Sequence, residues 1–190
     1  MTVAALTRRL AKVRAEMASV RPAEHTALRA MRADRAAVLS AAGLTPDAWQ
    51  ADLLRAAPSD ALLLCSRQSG KSLTAAALAL LTALLRPDSL VLLLSPTLRQ
   101  SGELFRDKLL RLFNALGRPV PAVQESALQL TLANGSRVIS LPGEGNSVRG
   151  YSSVALLVID EAAQVKNELY GSVRPMLAVS AGNLVALSTP

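Results

Sequence analysis

Residues 65–72 read Cys-Ser-Arg-Gln-Ser-Gly-Lys-Ser, between an apolar run at 61–64 and a helix-forming run at 73–85. Few folds accept that order. A buried strand, a tight loop ending in Gly-Lys-Ser and a helix predict a phosphate-binding loop. Backbone N–H groups of such a loop point inward at phosphate oxygens, and the helix N-terminus adds partial positive charge. The fold class expected is α/β: a P-loop NTPase of the RecA-like kind, a mostly parallel sheet with helices on both faces. Ser66, Arg67, Gln68, Ser69, Gly70, Lys71 and Ser72 form the cradle. Lys71 would reach the β- and γ-phosphates, and Ser72 would offer its hydroxyl oxygen to Mg²⁺. Cys65 stands where the usual pattern has glycine, which leaves the geometry of the loop open.

A second apolar run at 154–159 ends in Asp160-Glu161. Six apolar residues bounded by polar ones predict a central parallel strand buried on both faces. Ligands of open α/β sheets bind at the C-terminal strand edge. There Asp160 can hold the Mg²⁺ hydration shell and Glu161 can orient or deprotonate a water. The plainer alternative is an acidic pair at a helix N-terminus.

A third apolar run at 184–187 ends in Ser188-Thr189-Pro190. Its hydroxyls could sense a γ-phosphate; the alternative is a plain strand exit at Pro190. Upstream, Thr45 and Pro46 predict the cap and first residue of a helix. That helix carries Gln50, whose amide suits the edge of adenine. Trp49 is expected to pack in the core.

With these elements in order, the chain resembles the ATPase domain of phage terminase large subunits. The resemblance rests on Ser-Arg-Gln-Ser-Gly-Lys-Ser at 66–72, Leu-Ser-Pro-Thr-Leu-Arg-Gln-Ser-Gly at 94–102, Leu-Pro-Gly-Glu-Gly-Asn-Ser-Val-Arg-Gly at 141–150 and Val-Ile-Asp-Glu-Ala-Ala at 158–163. It covers residues 43–190. It implies a DNA-translocating, Mg²⁺-dependent ATP hydrolase that packages viral double-stranded DNA. Gln50 would read adenine. Arg67 would approach the γ-phosphate, where a guanidinium offsets developing charge. Arg149 would act on a neighbouring subunit, and Ser188-Thr189 would couple hydrolysis to movement. Portal protein and terminase small subunit are the implied partners. The assembly would be a homo-oligomeric ring in the bacterial host cytoplasm, and an isolated domain a monomer. A nuclease domain of RNase H type would follow in such proteins; the 190 residues leave no room for it, and the sheet is expected to lack its last strand.

Charge placement adds an arm. The chain carries +7, and residues 1–40 hold eight Lys/Arg against three acidic residues, or +5 of it. Val3, Leu6, Leu10, Val13, Met17 and Val20 make the seam of an amphipathic helix. Arg21-Pro22 interrupts it. A second helix is expected over 23–42, with Gly43 as its cap and the boundary between a basic helical arm (1–42) and the ATPase domain (43–190). The arm suits DNA phosphates or an acidic partner, unless it is simply a solvated helix face. Further on, 86–89 read as a turn, 90–94 as a buried strand and 97–116 as a long helix exposing Arg99, Arg106, Lys108 and Arg111. Asn134-Gly135 between 127–132 and 137–141 predicts a hairpin.

No run of ~18 apolar residues predicts a membrane span, and the N-terminus lacks the apolar core of a signal peptide. The single cysteine, Cys65, allows no internal disulfide, which suits a reducing cytoplasm; it reads as a small buried hydrophobe. His25, the sole histidine, reads as solvated, so a Cys/His metal site is not expected. Two rival readings remain: a helicase-like remodelling ATPase, and a truncated prophage remnant that binds ATP or DNA without packaging.

Overall fold

A computed structural model describes residues 26–143, 150–178 and 180–190. The helical segments are α1 (26–33), α2 (Ala37–Ser40), α3 (Ala48–Ala56), α4 (Lys71–Leu85), α5 (Leu98–Gly102), α6 (Arg111–Ala115) and α7 (Asn167–Ala178). A π-helical segment, Glu103–Leu110, joins α5 to α6. The strands are β1 (Asp60–Leu64), β2 (Leu90–Ser95), β3 (Ala122–Glu125), β4 (Gln129–Leu132), β5 (Arg137–Pro142), β6 (Val154–Ile159) and β7 (Asn183–Ser188).

All seven join one sheet in the order β1-β7-β6-β2-β5-β4-β3. The pairs from β1 through β5 are parallel, and β4 and β3 add an antiparallel margin. This is the mostly parallel α/β sheet read from the sequence. β2 and β6 are buried along their whole length, as continuous apolar runs require. Val91 and Leu93 enter the larger core with α1 to α4, the π segment and α6. Leu90, Leu92 and Leu94 face the smaller core under α7. Period-two alternation thus serves both faces.

Three expectations shift. The 23–42 helix is broken, because the Asp34 carboxylate accepts from the Ala36 N–H at 3.0 Å and pairs with Arg55 at 2.9 Å; residues 23–25 and the 3–20 seam lie outside the described residues. Met31, Val38 and Leu39 are buried in the same core as α4, so residues 26–42 pack with the ATPase fold, not as a separate arm. β1 forms as expected but is not buried on both faces. Leu62 and Leu64 are 77 % and 66 % exposed, because β1 is the outermost strand and α7 packs further along the sheet. A cavity of about 950 Å³ between β1, β7 and α7 is the result.

The hairpin forms with Gly135 at φ 83°. Its tip is tied down by Asn134, which donates to the Ala83 carbonyl at 2.9 Å. β3 was not anticipated: four mostly exposed residues carry too little pattern to read.

Candidate nucleotide site

The loop at 65–70 leaves β1 and delivers Gly70 at φ 82° as the N-cap of α4. A methyl group on Gly70 would stand 2.5 Å from Gln50 Nε2, so glycine is required both for backbone shape and for space. Cys65 is absent from the positive-φ residues, so its position needs no glycine. Its N–H donates to the Ser188 carbonyl at 3.1 Å, which ties the loop's start to β7 and settles the doubt raised by the missing glycine. Gln68 does hold a left-handed backbone, φ 60°. The Ser69 hydroxyl is buried without a partner. Strain and an orphaned polar atom in one loop are signs of a ligand-shaped site.

Three elements, α4 and the ends of β6 and β7, meet at the mouth of this loop. Lys71, the first residue of α4, places Nζ 2.9 Å from Glu161 Oε1 and 2.8 Å from the Thr189 hydroxyl. Thr189 in turn lies 3.3 Å from both Glu161 oxygens. The Ser72 hydroxyl donates to Asp160 Oδ2 at 3.3 Å. Ser188 is buried at the end of β7. The parallel strand order produces this convergence: β7 lies between β1 and β6, so the loop, the Asp-Glu pair and Ser-Thr end at one edge.

The two carboxylates differ. Asp160 is 8 % exposed. Burial pushes its carboxyl upward and the Glu161 charge adds to that; Lys71, the Glu161 N–H and Ser72 oppose it. For Glu161, burial also pushes upward, but hydrogen bonding and charge from Lys71, with hydrogen bonds involving Thr189, outweigh it and hold the carboxyl below its ordinary value. Glu161 sits at φ 49°, ψ 48°, a left-handed conformation that costs a non-glycine residue energy.

Arg67 is exposed at the rim of a cavity of about 440 Å³, lined also by Lys71, Gln100, Glu161, Gln164 and Thr189. Ser66 and Gln68 are exposed on the loop. Gln100 and Gln164 had no role assigned from the sequence, although Gln100 lies within the 94–102 motif and Gln164 directly follows the 158–163 one. Arg149 lies outside the described residues.

Gln50 is placed differently from the expected base reader. It is 5 % exposed. Its Oε1 accepts from the Asp47 N–H at 2.9 Å, and Nε2 donates to the Thr74 hydroxyl at 2.9 Å and toward the Gly70 carbonyl at 3.4 Å. Both ends of the amide hold the loop and the start of α3. The helix begins at Ala48 after Asp47, two residues later than Thr45-Pro46 suggested, because Asp47 and Gln50 supply the capping pair. Trp49 is half-buried.

The model for the N-terminal part of the T4likevirus-type terminase large subunit matches residues 62–190. The chain belongs to the terminase large subunit family. Among solved structures, the terminase chain is similar to the large terminase ATPase domain of Thermus phage P74-26, with a TM-score of 0.70 and 23 % identity over 80 % of this chain and 68 % of that one. It is similar to the large terminase of bacteriophage HK97, TM-score 0.64 and 18 % identity over 77 % of this chain and 33 % of that one. A large terminase from a thermophilic bacteriophage, in complex with ADP, matches at TM-score 0.55 and 16 % identity over 68 % of this chain and 33 % of that one. The terminase chain thus spans about a third of the length of the latter two. Comparison with curated proteins gives no match. No helix among the described residues is long and apolar enough to cross a membrane.

The residues fit a nucleotide with Mg²⁺. Ser72 and Asp160 offer one hydroxyl and one carboxylate side by side, and no group of three or more His, Cys, Asp or Glu forms a closed metal cage among the described residues. Mg²⁺ is commonly held by one or two carboxylates together with substrate phosphates and waters.

Proposed function

We propose that this terminase domain binds ATP with Mg²⁺ and hydrolyses the γ-phosphate by in-line attack of water. The observation that carries the reading is the Lys71–Glu161–Thr189 cluster at the mouth of the phosphate loop. On binding, Lys71 moves from Glu161 to the β- and γ-phosphates. Glu161, freed from its cation, takes the proton of the attacking water. Thr189 loses one of its two partners at that moment, and the change passes to β7. Ser72 and Asp160 would hold Mg²⁺, whose charge offsets that of the phosphates. Arg67, at the rim, approaches the γ-phosphate from the solvent side.

The larger role follows from the family. In an assembled ring the domain drives double-stranded DNA into a capsid in the host cytoplasm, with portal protein and small subunit as partners and Arg149 acting on the neighbouring subunit. The relative crystallised with ADP supports nucleotide as the ligand. The test is Mg²⁺-dependent ATP hydrolysis by the purified chain, with and without duplex DNA, using Glu161→Gln as the blank. Turnover above the blank that rises with duplex DNA supports the reading. Nucleotide binding absent at any Mg²⁺ concentration sinks it.

A further inference from the structure

We propose that Gln100 donates its side-chain amide to the γ-phosphate and so distinguishes a nucleoside triphosphate from a diphosphate. The inference rests on the ATP reading above and gives the 94–102 segment a task in the site. Gln100 is half-buried and lines the cavity that holds Arg67, Lys71 and Glu161. Topology places it there: β2 pairs with β6, with Leu94 opposite Ile159, and the Asp160 N–H donates to the Leu94 carbonyl at 2.8 Å. The first turn of α5 therefore opens beside Asp160-Glu161.

The orientation of the amide is set by Thr97. The Thr97 hydroxyl oxygen accepts from the Gln100 backbone N–H at 3.3 Å, and its proton goes to Gln100 Oε1 at 2.9 Å. That bond takes one lone pair of Oε1 and fixes which way the amide lies. The remaining end, Nε2, makes no hydrogen bond among the described residues and carries two N–H groups. Two N–H groups in a cavity lined also by Arg67 and Lys71 suit an oxygen-rich anion. The attacking water needs an acceptor for its proton, and Glu161 is the carboxylate that lines the same cavity. Gln100 is therefore assigned to the phosphate, and Thr97 is its positioning residue.

The experiment measures equilibrium binding, with Mg²⁺, of ADP and of the β,γ-imido analogue of ATP to wild type, Gln100→Ala, Gln100→Glu and Thr97→Ala. The loss expected for Gln100→Ala is about tenfold for the analogue, with ADP affinity within about twofold of wild type. Gln100→Glu loses more, because a carboxylate repels the γ-phosphate. Thr97→Ala loses part of the same selectivity. An equal loss for both nucleotides in Gln100→Ala, unchanged affinity for both, or a fall in turnover with both affinities intact would each overturn the proposal. Wild type binding neither nucleotide would overturn the ATP reading and this inference with it.

Discussion

Lys71 Nζ lies 2.9 Å from Glu161 Oε1, and the Thr189 hydroxyl touches both groups. On the proposed reading, the cation that would meet phosphate and the base that would meet water are paired with each other. Lys71 is buried and Glu161 half-buried, so removing one partner alone leaves a poorly solvated charge unpaired. On the same reading, ATP separates them before either acts.

Lys71→Ala is expected to weaken ATP binding by at least ~100-fold, because the lost charge-assisted phosphate contact outweighs the ion pair that no longer has to be broken. Isothermal titration measures it. Wild-type affinity in the variant would show that the loop does not hold phosphate.

Glu161→Gln is expected to keep ATP binding while turnover falls by roughly 10²–10⁴-fold, the usual worth of a positioned base. Binding should also tighten, since ATP no longer has to break a full ion pair. Single-turnover hydrolysis and titration separate the two effects. Near-normal turnover would take the proton-accepting role away from Glu161.

The carboxylates predict opposite pH behaviour of stability. The carboxyl of Asp160 is raised in the folded chain, so its favourable contribution is complete below the unfolded carboxylate range and is lost as pH rises through the raised value. Glu161 is lowered, so its contribution is present above its unfolded value and is lost as pH falls through the lowered one. At pH 7 without nucleotide, Asp160→Asn is expected to raise Tm and Glu161→Gln to lower it, each by about 2–4 °C if the effect is ~1 kcal/mol. Both differences shrink toward acid pH. Melting curves from pH 7 to pH 4 check the signs, and a common sign for the two variants contradicts the assignment.

Gln50→Ala is expected to weaken ATP and GTP alike and to cost about 1–3 kcal/mol of stability, because Asp47, Thr74 and the loop lose a shared buried partner. Paired titrations with the two nucleotides decide the point. A loss confined to ATP would restore adenine reading to Gln50.

The parallel core was legible because β2 and β6 are continuous apolar runs and α4 follows its loop without a break. Lys71, Ser72, Asp160 and Glu161 were legible because motif spacing fixes which strand ends carry them. The rest depended on side-chain partners that spacing does not show. Asp34 breaks a helix by pairing with Arg55, which lies in another element. Gln50 turns inward because Gly70 leaves room for it. Ser188-Thr189 was legible as a hydroxyl pair at a strand end, but its contacts with Lys71 and Glu161 depend on β7 lying between β1 and β6. β1 read as buried because its composition is apolar, yet composition does not say which strand is outermost.

The strand order also sets a timetable. Asp60 pairs with Leu184 and Leu64 with Ser188, so β1 has no partner among the described strands until β7 has been made. Contacts of such long sequence separation form slowly, and synthesis at ~5–20 residues per second keeps β1 waiting for several seconds. During that interval Lys71 has neither Thr189 beside it nor a closed sheet behind it. The last of the described strands to be synthesised is therefore also the one that brings Thr189 to Lys71 and Glu161 and completes their cluster.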